Sequence, residues 1–218
     1  MDDINIGFLI FPDLTQLDFT GPFEVFSHLP GAKLHVIAKT MDSVFSDKGL
    51  QFQPTTDYES CPKLDIICVP GGVGHLGLME DTATHEFLQE QAMTARFVTS
   101  VCTGSLVLAA AGLLKGYKAT SHWAFKHLLA DYDAIPTDGR VVHDRDRYTG
   151  GGVTAGIDFA LTIIADIAGK DIAKLIQLGL EYNPQPPFDC GSPDAADEDI
   201  LKTATQLRRR LYREVYTL

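Results

Sequence analysis

Short apolar runs alternate with longer segments of helical spacing along most of this chain. Residues 4–11, 64–69 and 97–101 are almost continuously apolar, as the strands of a parallel sheet are when both faces are covered. Residues 33–38 alternate between polar and apolar positions, and residues 141–149 hold two β-rich pieces around a polar turn. These two patterns predict a further strand and a small hairpin.

Helices are predicted after most of these strands. Apolar positions at helical spacing mark residues 22–28, 84–95, 105–111, 124–129, 155–168, 172–180 and 197–212. The alternation of strands and helices predicts an α/β fold with a mostly parallel central sheet and helices on both faces. Because neither an internal repeat nor a domain-sized linker interrupts the pattern, we expect one domain over residues 1–218.

The composition is that of an ordinary globular protein, with 45% hydrophobic and 22% charged residues among 218. A formal net charge of −11 argues against nucleic acid or an anionic membrane surface as the main partner. The last predicted helix contains one basic cluster, Arg208, Arg209, Arg210 and Arg213. We interpret this cluster as a solvent-exposed helix face, because the field of the whole chain opposes polyanions.

Cysteine usage and targeting signals predict a reduced, cytoplasmic protein. The four cysteines are widely separated and form neither a CxxC motif nor a metal-finger spacing. The first residues lack the basic region of a signal peptide, and the longest apolar stretch, near residues 107–114, is too short to span a bilayer.

Gly151 and Gly152 precede a helix without the Lys-Ser/Thr pair of a phosphate-binding loop. We expect no metal, cofactor or membrane association.

The most informative stretch is residues 97–104, Phe-Val-Thr-Ser-Val-Cys-Thr-Gly. A β-branched segment ends on small residues and a helix begins at once, which places Cys102 on a tight bend at the carboxyl edge of the sheet. A thiol beside free helix amides ionises more readily, and the thiolate is its reactive form. The alternative is a buried structural cysteine, because free cysteines are often buried.

Other segments that follow predicted strands are expected at the same edge of the sheet. Asp18 lies between Leu17 and Phe19 before the predicted helix start at Pro22. Apolar neighbours favour a raised pKa and a proton-transfer role, although an aspartate that only accepts backbone hydrogen bonds in a loop fits the same pattern. Convergence with Asp18 favours Cys102 as a nucleophile.

Glycines and a histidine complete the candidate set. Gly71 and Gly72 end a strand, where glycine permits unusual backbone angles and close approach of amides to a ligand, or forms a plain turn. Gly151 and Gly152 follow the predicted hairpin. His122 precedes the only tryptophan, Trp123, and a hydrogen-bonded turn residue and a core tryptophan are the simpler interpretations of that pair.

Six stretches resemble the ThiJ/PfpI superfamily, and together they extend over nearly the whole chain: residues 6–12, 16–22, 68–72, 99–105, 119–123 and 149–158. Within the superfamily, the chain most resembles the branch that hydrates isocyanides. Asp18 stands where other branches carry glutamate, and Thr103 follows Cys102 where the peptidase-like branch carries histidine. The proline-rich residues 181–188 are also similar to the hydratase branch.

This resemblance implies a flavodoxin-like three-layer sandwich, a homodimer, and hydration of isocyanides to N-substituted formamides without metal or cofactor. Cys102 would form a covalent thioimidate, and Asp18 would transfer the protons. Backbone amides near Gly72 and Thr103 would stabilise anionic centres, with help from the Thr103 hydroxyl. The other substrate-site residues implied are Gly71, Gly151, Gly152, Val153 and His122.

Two other functions stay open at this point. Other branches of the superfamily are similar to thiol-dependent glyoxalases or deglycases that act on α-oxoaldehydes. Similar domains also occur at the front of AraC-type regulators, which would make this chain a ligand-sensing module. Those regulators carry a further helix-turn-helix region, whereas this chain ends at Leu218 after one predicted helix. That difference and the negative charge favour an enzyme.

Overall fold

A mostly parallel sheet of seven strands forms the centre of the first of two units in this computed structural model, Met1–Glu181. The second unit is Tyr182–Leu218. The structure describes residues 3–215, without the side chains of residues 209–215. The strands are β1 (Ile4–Leu9), β2 (Ala32–Ala38), β3 (Val44–Phe45), β4 (Gln51–Phe52), β5 (Thr56–Asp57), β6 (Ile66–Val69), β7 (Phe97–Val101), β8 (Lys118–Ala119), β9 (Ile135–Pro136), β10 (Val141–Asp144) and β11 (Arg147–Gly150).

The strand order in the main sheet is β10-β11-β7-β6-β1-β2-β5. All neighbouring pairs are parallel except the β10–β11 hairpin at one edge. In this register Phe8 of β1 lies opposite Cys68 of β6, and Gly150 of β11 lies opposite Val101 of β7. Strands β1, β6, β7 and β11 are therefore consecutive neighbours, and their carboxyl ends point the same way.

Helices form two groups, each with contacts among its own members. The helices are α1 (Gln16–Ser27), α2 (His75–Leu78), α3 (Thr82–Ala92), α4 (Gly104–Ala110), a 3₁₀ helix (Lys126–Tyr132), α5 (Ala155–Ala168), α6 (Lys170–Gly179) and α7 (Glu198–Val215). Helix α5 packs against α1 and α6, while α4 packs against α2, α3 and the 3₁₀ helix. This grouping is that of helices on both faces of a sheet, so the predicted sandwich is confirmed.

Aromatic packing fixes α1 to the sheet. Phe8, which is fully buried in β1, contacts three rings of α1 at centroid distances of 5.9 Å for Phe19, 5.2 Å for Phe23 and 6.1 Å for Phe26. Burying a phenylalanine contributes roughly 1.5–3 kcal/mol, and aromatic pairs add about 0.5–1.5 kcal/mol. This cluster holds the first turns of α1 at a defined position over β1.

The predicted start of α1 at Pro22 is wrong, because the helix begins at Gln16, after Thr15 in the cap position. Pro22 lies inside the helix, although proline removes a helical hydrogen bond there. Tertiary contacts override that local preference. The Thr15 amide donates a hydrogen bond to the Gly71 carbonyl at 2.9 Å, and Phe8 packs against the phenylalanines of this helix. Asp18 therefore lies in the first turn of α1 and not in a loop before it.

Other predicted elements are confirmed with small shifts in their ends. Strand β7 and helix α5 have the predicted bounds, and the predicted hairpin is β10–β11. The short β5, the β8–β9 pair and α2 were not predicted. Residues 124–129 were predicted as a helix, and a 3₁₀ helix occupies Lys126–Tyr132. These missed elements are too short to show a periodic pattern.

The second unit contains α7 and the proline-rich segment before it. Arg208 and Leu207 are exposed on this helix, which agrees with a solvated basic face at that position. The side chains of Arg209, Arg210 and Arg213 lie outside the described residues. Among the helices of residues 3–215, none combines the length and the apolar character that a bilayer crossing requires.

Candidate active site

Four chain segments that leave neighbouring strands meet at the carboxyl edge of the sheet. Helix α1 with Asp18 follows β1, Gly71 and Gly72 follow β6, Cys102 follows β7, and Gly151 follows β11. Because these strands are adjacent and parallel, their ends lie side by side, where ligand sites form in open α/β sheets. The structure thus places the predicted site residues at one edge.

Cys102 lies on a strained turn between β7 and α4. Its φ of 56° is in the left-handed region, which costs a residue other than glycine on the order of 1 kcal/mol or more. Neighbours hold it there: its amide donates to the carbonyls of Gly150 at 3.1 Å and Gly151 at 2.9 Å. Its carbonyl accepts hydrogen bonds from Ser105 Oγ at 3.1 Å and Ser121 Oγ at 3.0 Å. The side chain is buried, with 6% of the residue exposed.

The Asp18 carboxylate is fully buried beside the β6 turn. Its Oδ2 accepts a hydrogen bond from the Gly71 amide at 2.9 Å, which stabilises charge that burial disfavours. A Cβ atom on Gly71 would lie 2.8 Å from Asp18 Oδ2 and 2.6 Å from both the amide nitrogen and Oγ1 of Thr103. Only glycine therefore allows Asp18 and Thr103, the residue after Cys102, to come together here.

Thr103 is held by the second glycine of the same turn. The Gly72 amide donates to Thr103 Oγ1 at 3.1 Å. Gly72 has a φ of 131°, and a Cβ atom there would lie 2.3 Å from the Thr15 amide nitrogen. We expected the Gly72 amide to stabilise an anionic reaction centre, but in this structure Gly71 and Gly72 donate to Asp18 and Thr103. Their main-chain amides position these two side chains.

The segment after β11 and His122 form another part of the site. The Gly151 amide donates a hydrogen bond to the Arg140 carbonyl at 2.9 Å. This bond fixes the Gly150–Gly151 peptide, whose carbonyl accepts a hydrogen bond from the Cys102 amide. His122 Cδ2 would lie 3.8 Å from a Cβ atom on Gly152, so the imidazole edge faces this glycine. His122 is buried, and its Nδ1 accepts a hydrogen bond from the Ala124 amide at 3.2 Å.

Val153 and Trp123 are less enclosed than these neighbours. Val153 is half-buried at the turn into α5, where its carbonyl accepts a hydrogen bond from the Gly156 amide at 3.4 Å. Trp123 is also half-buried, with its ring centroid 5.5 Å from that of His122. The expectation that Trp123 belongs to the core is therefore wrong, because the residue is only half-buried.

His75 is a site residue that the sequence analysis missed. It is 1% exposed at the start of α2, and its Nδ1 lies 2.7 Å from the Gly72 carbonyl oxygen. Burial lowers the pKa of His75 to about 4, while the hydrogen bond to Gly72 acts in the opposite direction. The imidazole is therefore neutral near pH 7. Its only sequence signal is its position three residues after Gly72, in an element too short to be periodic.

The other cysteines have different surroundings. Cys68 is fully buried in β6, as expected for a core residue, and burial raises the pKa of its thiol to about 12. Cys61 is half-buried, and burial raises its thiol pKa to about 11. Cys190 is exposed in the second unit. Within residues 3–215, no group of three or more His, Cys, Asp or Glu side chains has the arrangement of a metal site.

The fold and the site together define an α/β protein that presents a cysteine on a strained strand–helix turn, with a buried aspartate close to the residue that follows the cysteine. The sequence model of the DJ-1/PfpI family matches residues 5–166. The chain belongs to the DJ-1/PfpI family.

Comparison with individual relatives narrows the likeness. The chain is 55% identical to an isonitrile hydratase of Pseudomonas putida over 201 residues. The aligned region covers 92% of this chain and 88% of that protein. It is 33% identical to the HTH-type transcriptional regulator GbdR of Pseudomonas aeruginosa, over 79% of this chain but 49% of the regulator.

Solved structures agree with this assignment of fold and family. A ThiJ/PfpI family protein from Pseudomonas syringae superposes with a TM-score of 0.94 at 44% identity, over 96% of this chain and 88% of that one. Drosophila melanogaster DJ-1beta superposes with a TM-score of 0.76 at 24% identity, over 82% of this chain and 98% of that one. The second likeness concerns the fold alone.

Proposed function

We propose that this protein is a cysteine-dependent isocyanide hydratase that converts R–N≡C and water into the formamide R–NH–CHO. The observation that carries the proposal is the 55% identity to an isonitrile hydratase over 92% of the chain. The site is compatible with that chemistry, because a nucleophile and a proton-transfer group are needed. Cys102 and Asp18 follow β7 and β1, the two strands on either side of β6, at the same edge of the sheet.

The first half of the reaction forms a covalent intermediate. The Cys102 thiolate attacks the terminal carbon of the isocyanide, and a C–S bond forms. Protonated Asp18 gives its proton to the same carbon, so the product is the thioimidate R–N=CH–S–Cys102. The thiol sulfur supplies the electron pair of the new bond, and Asp18 is left as a carboxylate.

The second half consumes water and restores the enzyme. The Asp18 carboxylate removes a proton from water as the hydroxide adds to the thioimidate carbon, and this proton passes to the nitrogen. The tetrahedral intermediate R–NH–CH(OH)–S–Cys102 then loses its hydroxyl proton to Asp18 as the C–S bond breaks. Formamide leaves, the thiolate returns, and Asp18 is protonated again.

Thr103 is the donor that we assign to the charged intermediates. Its amide nitrogen and Oγ1 lie close to Asp18 Oδ2 around the Cα of Gly71. A preorganised donor beside the reacting atoms stabilises charge that develops in the transition state. We propose that the wall on the β11 side is formed by Gly151, Gly152, Val153 and His122. The position of the His122 imidazole, 3.8 Å from where a Cβ atom on Gly152 would lie, supports this.

A ligand-sensing role is the second candidate, because the chain is 33% identical to a transcriptional regulator. The hydratase is favoured by the higher identity and by coverage of 88% of that relative, against 49% of the regulator. Equilibrium binding without turnover of any isocyanide would favour the sensor. Turnover of methylglyoxal but not of isocyanide would favour a thiol enzyme that acts on α-oxoaldehydes.

The decisive experiment combines turnover with trapping of the intermediate. Purified protein is mixed with an alkyl isocyanide, formamide is measured, and the quenched protein is digested for mass spectrometry. We expect an adduct on the peptide that contains Cys102, and no turnover or adduct in Cys102→Ala. Cys61→Ala is the matched control, because Cys61 is a half-buried thiol far along the chain from the Cys102 turn. Full activity of Cys102→Ala would refute the covalent mechanism.

We also propose that the enzyme is a cytoplasmic homodimer that needs no metal or cofactor. The family resemblance supports the dimer and the independence from cofactors, and the composition supports the location. Light scattering after size-exclusion chromatography measures the mass of the particle. Unchanged turnover after dialysis against a chelator is the expected result for the metal, and loss of turnover that added metal restores would contradict it.

A further inference from the structure

The carbonyl of Gly72 is surrounded by three hydrogen-bond donors. His75 provides two of them, its backbone amide at 3.1 Å and its Nδ1 at 2.7 Å. The Thr103 hydroxyl is the third, at the much longer distance of 3.5 Å. A carbonyl oxygen has two lone pairs, and a distance of 3.5 Å is at the limit of a hydrogen bond. The two donors of His75 therefore satisfy this oxygen.

The Thr103 hydroxyl has one hydrogen to donate. The hydroxyl oxygen already accepts a hydrogen bond from the Gly72 amide at 3.1 Å. This bond fixes the oxygen against the turn that follows β6. Its hydrogen can turn back towards the Gly72 carbonyl or away from it, towards the side on which Asp18 Oδ2 lies. Occupation of the carbonyl by His75 makes the first direction unfavourable.

We propose that His75 is a positioning residue: by occupying the Gly72 carbonyl, it directs the Thr103 hydroxyl hydrogen towards the substrate. This inference deepens the proposed hydratase function and rests on it. His75 acts through Gly72 and Thr103. The result is a hydroxyl that is prepared to donate before the isocyanide binds, which is the condition for effective electrostatic stabilisation.

The local structure supports a fixed imidazole. His75 is 1% exposed, and its ring lies 6.4 Å from that of Phe125, centroid to centroid. A neutral imidazole carries a single N–H, and a carbonyl oxygen can only accept, so that hydrogen is on Nδ1. Gly74 holds the backbone close to the preceding loop, because a Cβ atom there would lie 1.8 Å from the Pro12 carbonyl oxygen.

The test exploits two amide side chains of different length. In His75→Asn the side-chain amide nitrogen can replace Nδ1, whereas the longer side chain of His75→Gln places its nitrogen nearer the position of Nε2. We expect His75→Leu and His75→Gln to lower kcat about tenfold, because one hydrogen bond is worth up to about a factor of ten. His75→Asn should stay within about threefold of the wild type, and KM should change little in all three.

A double-mutant cycle with Thr103→Val shows whether the two residues act as a unit. In the Thr103→Val background, His75→Leu should change kcat less than about twofold, because the hydroxyl is already absent. Multiplying effects would overturn the inference, and so would equal activity of the Asn and Gln variants. His35→Leu, which removes a histidine of β2 bonded to Asn5, should leave kcat unchanged. Far-UV circular dichroism checks folding, and the Asn–Gln comparison remains decisive if the leucine variant does not fold.

Failure of the proposed hydratase function can be distinguished from failure of the inference about His75. A wild-type protein that does not turn over isocyanides overturns the hydratase, whatever the His75 variants do. In that case ¹⁵N NMR of labelled histidine still tests the contact with Gly72. A neutral imidazole with its proton on Nδ1 is the expected result, and a proton on Nε2 would overturn the inference by itself.

Discussion

Replacement of Gly71 by alanine tests how tightly the site is built. The new Cβ atom would lie 2.6 Å from the Thr103 amide nitrogen, 2.6 Å from Thr103 Oγ1 and 2.8 Å from Asp18 Oδ2. All three distances are shorter than a methyl group tolerates. Because one of the atoms belongs to the main chain at the Cys102 turn, the clash cannot be relieved by rotating a side chain alone.

The cost follows from packing and hydrogen bonding. Overpacking of a buried site costs about 1–3 kcal/mol, so the free energy of unfolding should fall by that amount. In a unit of this size each kcal/mol lowers Tm by about 2–4 °C. Displacement of Asp18 also weakens its 2.9 Å hydrogen bond to the Gly71 amide. Since a displacement of about 1 Å can cost about a hundredfold in rate, we expect kcat to fall by about that factor.

The assay compares Gly71→Ala with a matched glycine. Urea unfolding, isocyanide turnover and adduct formation at Cys102 are measured for Gly71→Ala and Gly77→Ala. Gly77 lies in α2, and no atom lies within 4 Å of a Cβ atom built there. The Gly77 variant should equal or slightly exceed the wild type in stability, because alanine favours helix. Wild-type stability and turnover in Gly71→Ala would refute the argument that this glycine brings Asp18 and Thr103 together.

Three further predictions follow from individual contacts. Asp18→Asn should keep the fold and lose most of the rate, because an amide cannot exchange the proton; near-normal turnover would reduce Asp18 to a structural residue. Ser121→Ala should lower the free energy of unfolding by about 1 kcal/mol, since it removes the 3.0 Å hydrogen bond to the Cys102 carbonyl, and an unchanged urea midpoint would contradict this. Because burial lowers the pKa of His75 to about 4, the unfolded state binds this proton first as the pH falls. Stability should therefore decline between about pH 6.5 and pH 4, by up to about 3 kcal/mol. The decline should be smaller in His75→Asn, and identical pH profiles would count against a neutral buried imidazole.

Local patterns in the amino-acid sequence were sufficient to predict the layers of the fold and the sharp turn at Cys102. Continuous apolar runs and helical spacing depend on which face each residue buries, so they identified β7, α5 and the β10–β11 hairpin. The position of Cys102 also follows from local chemistry, because a strand that ends on small residues before a helix must turn sharply. Its φ of 56° agrees with that prediction.

Tertiary structure decided the first turn of α1 and the connections within the site. The helix starts at Gln16 because Phe8 of β1 packs against the phenylalanines of α1. The local sequence preference around Pro22 does not reveal this contact. The Gly71–Asp18 hydrogen bond joins residues 53 positions apart, and the Gly72–Thr103 bond joins residues 31 apart. Such contacts exist only once the sheet has brought β1, β6 and β7 side by side. For the same reason, the place of His75 beside Gly72 and Thr103 was visible only in the folded chain.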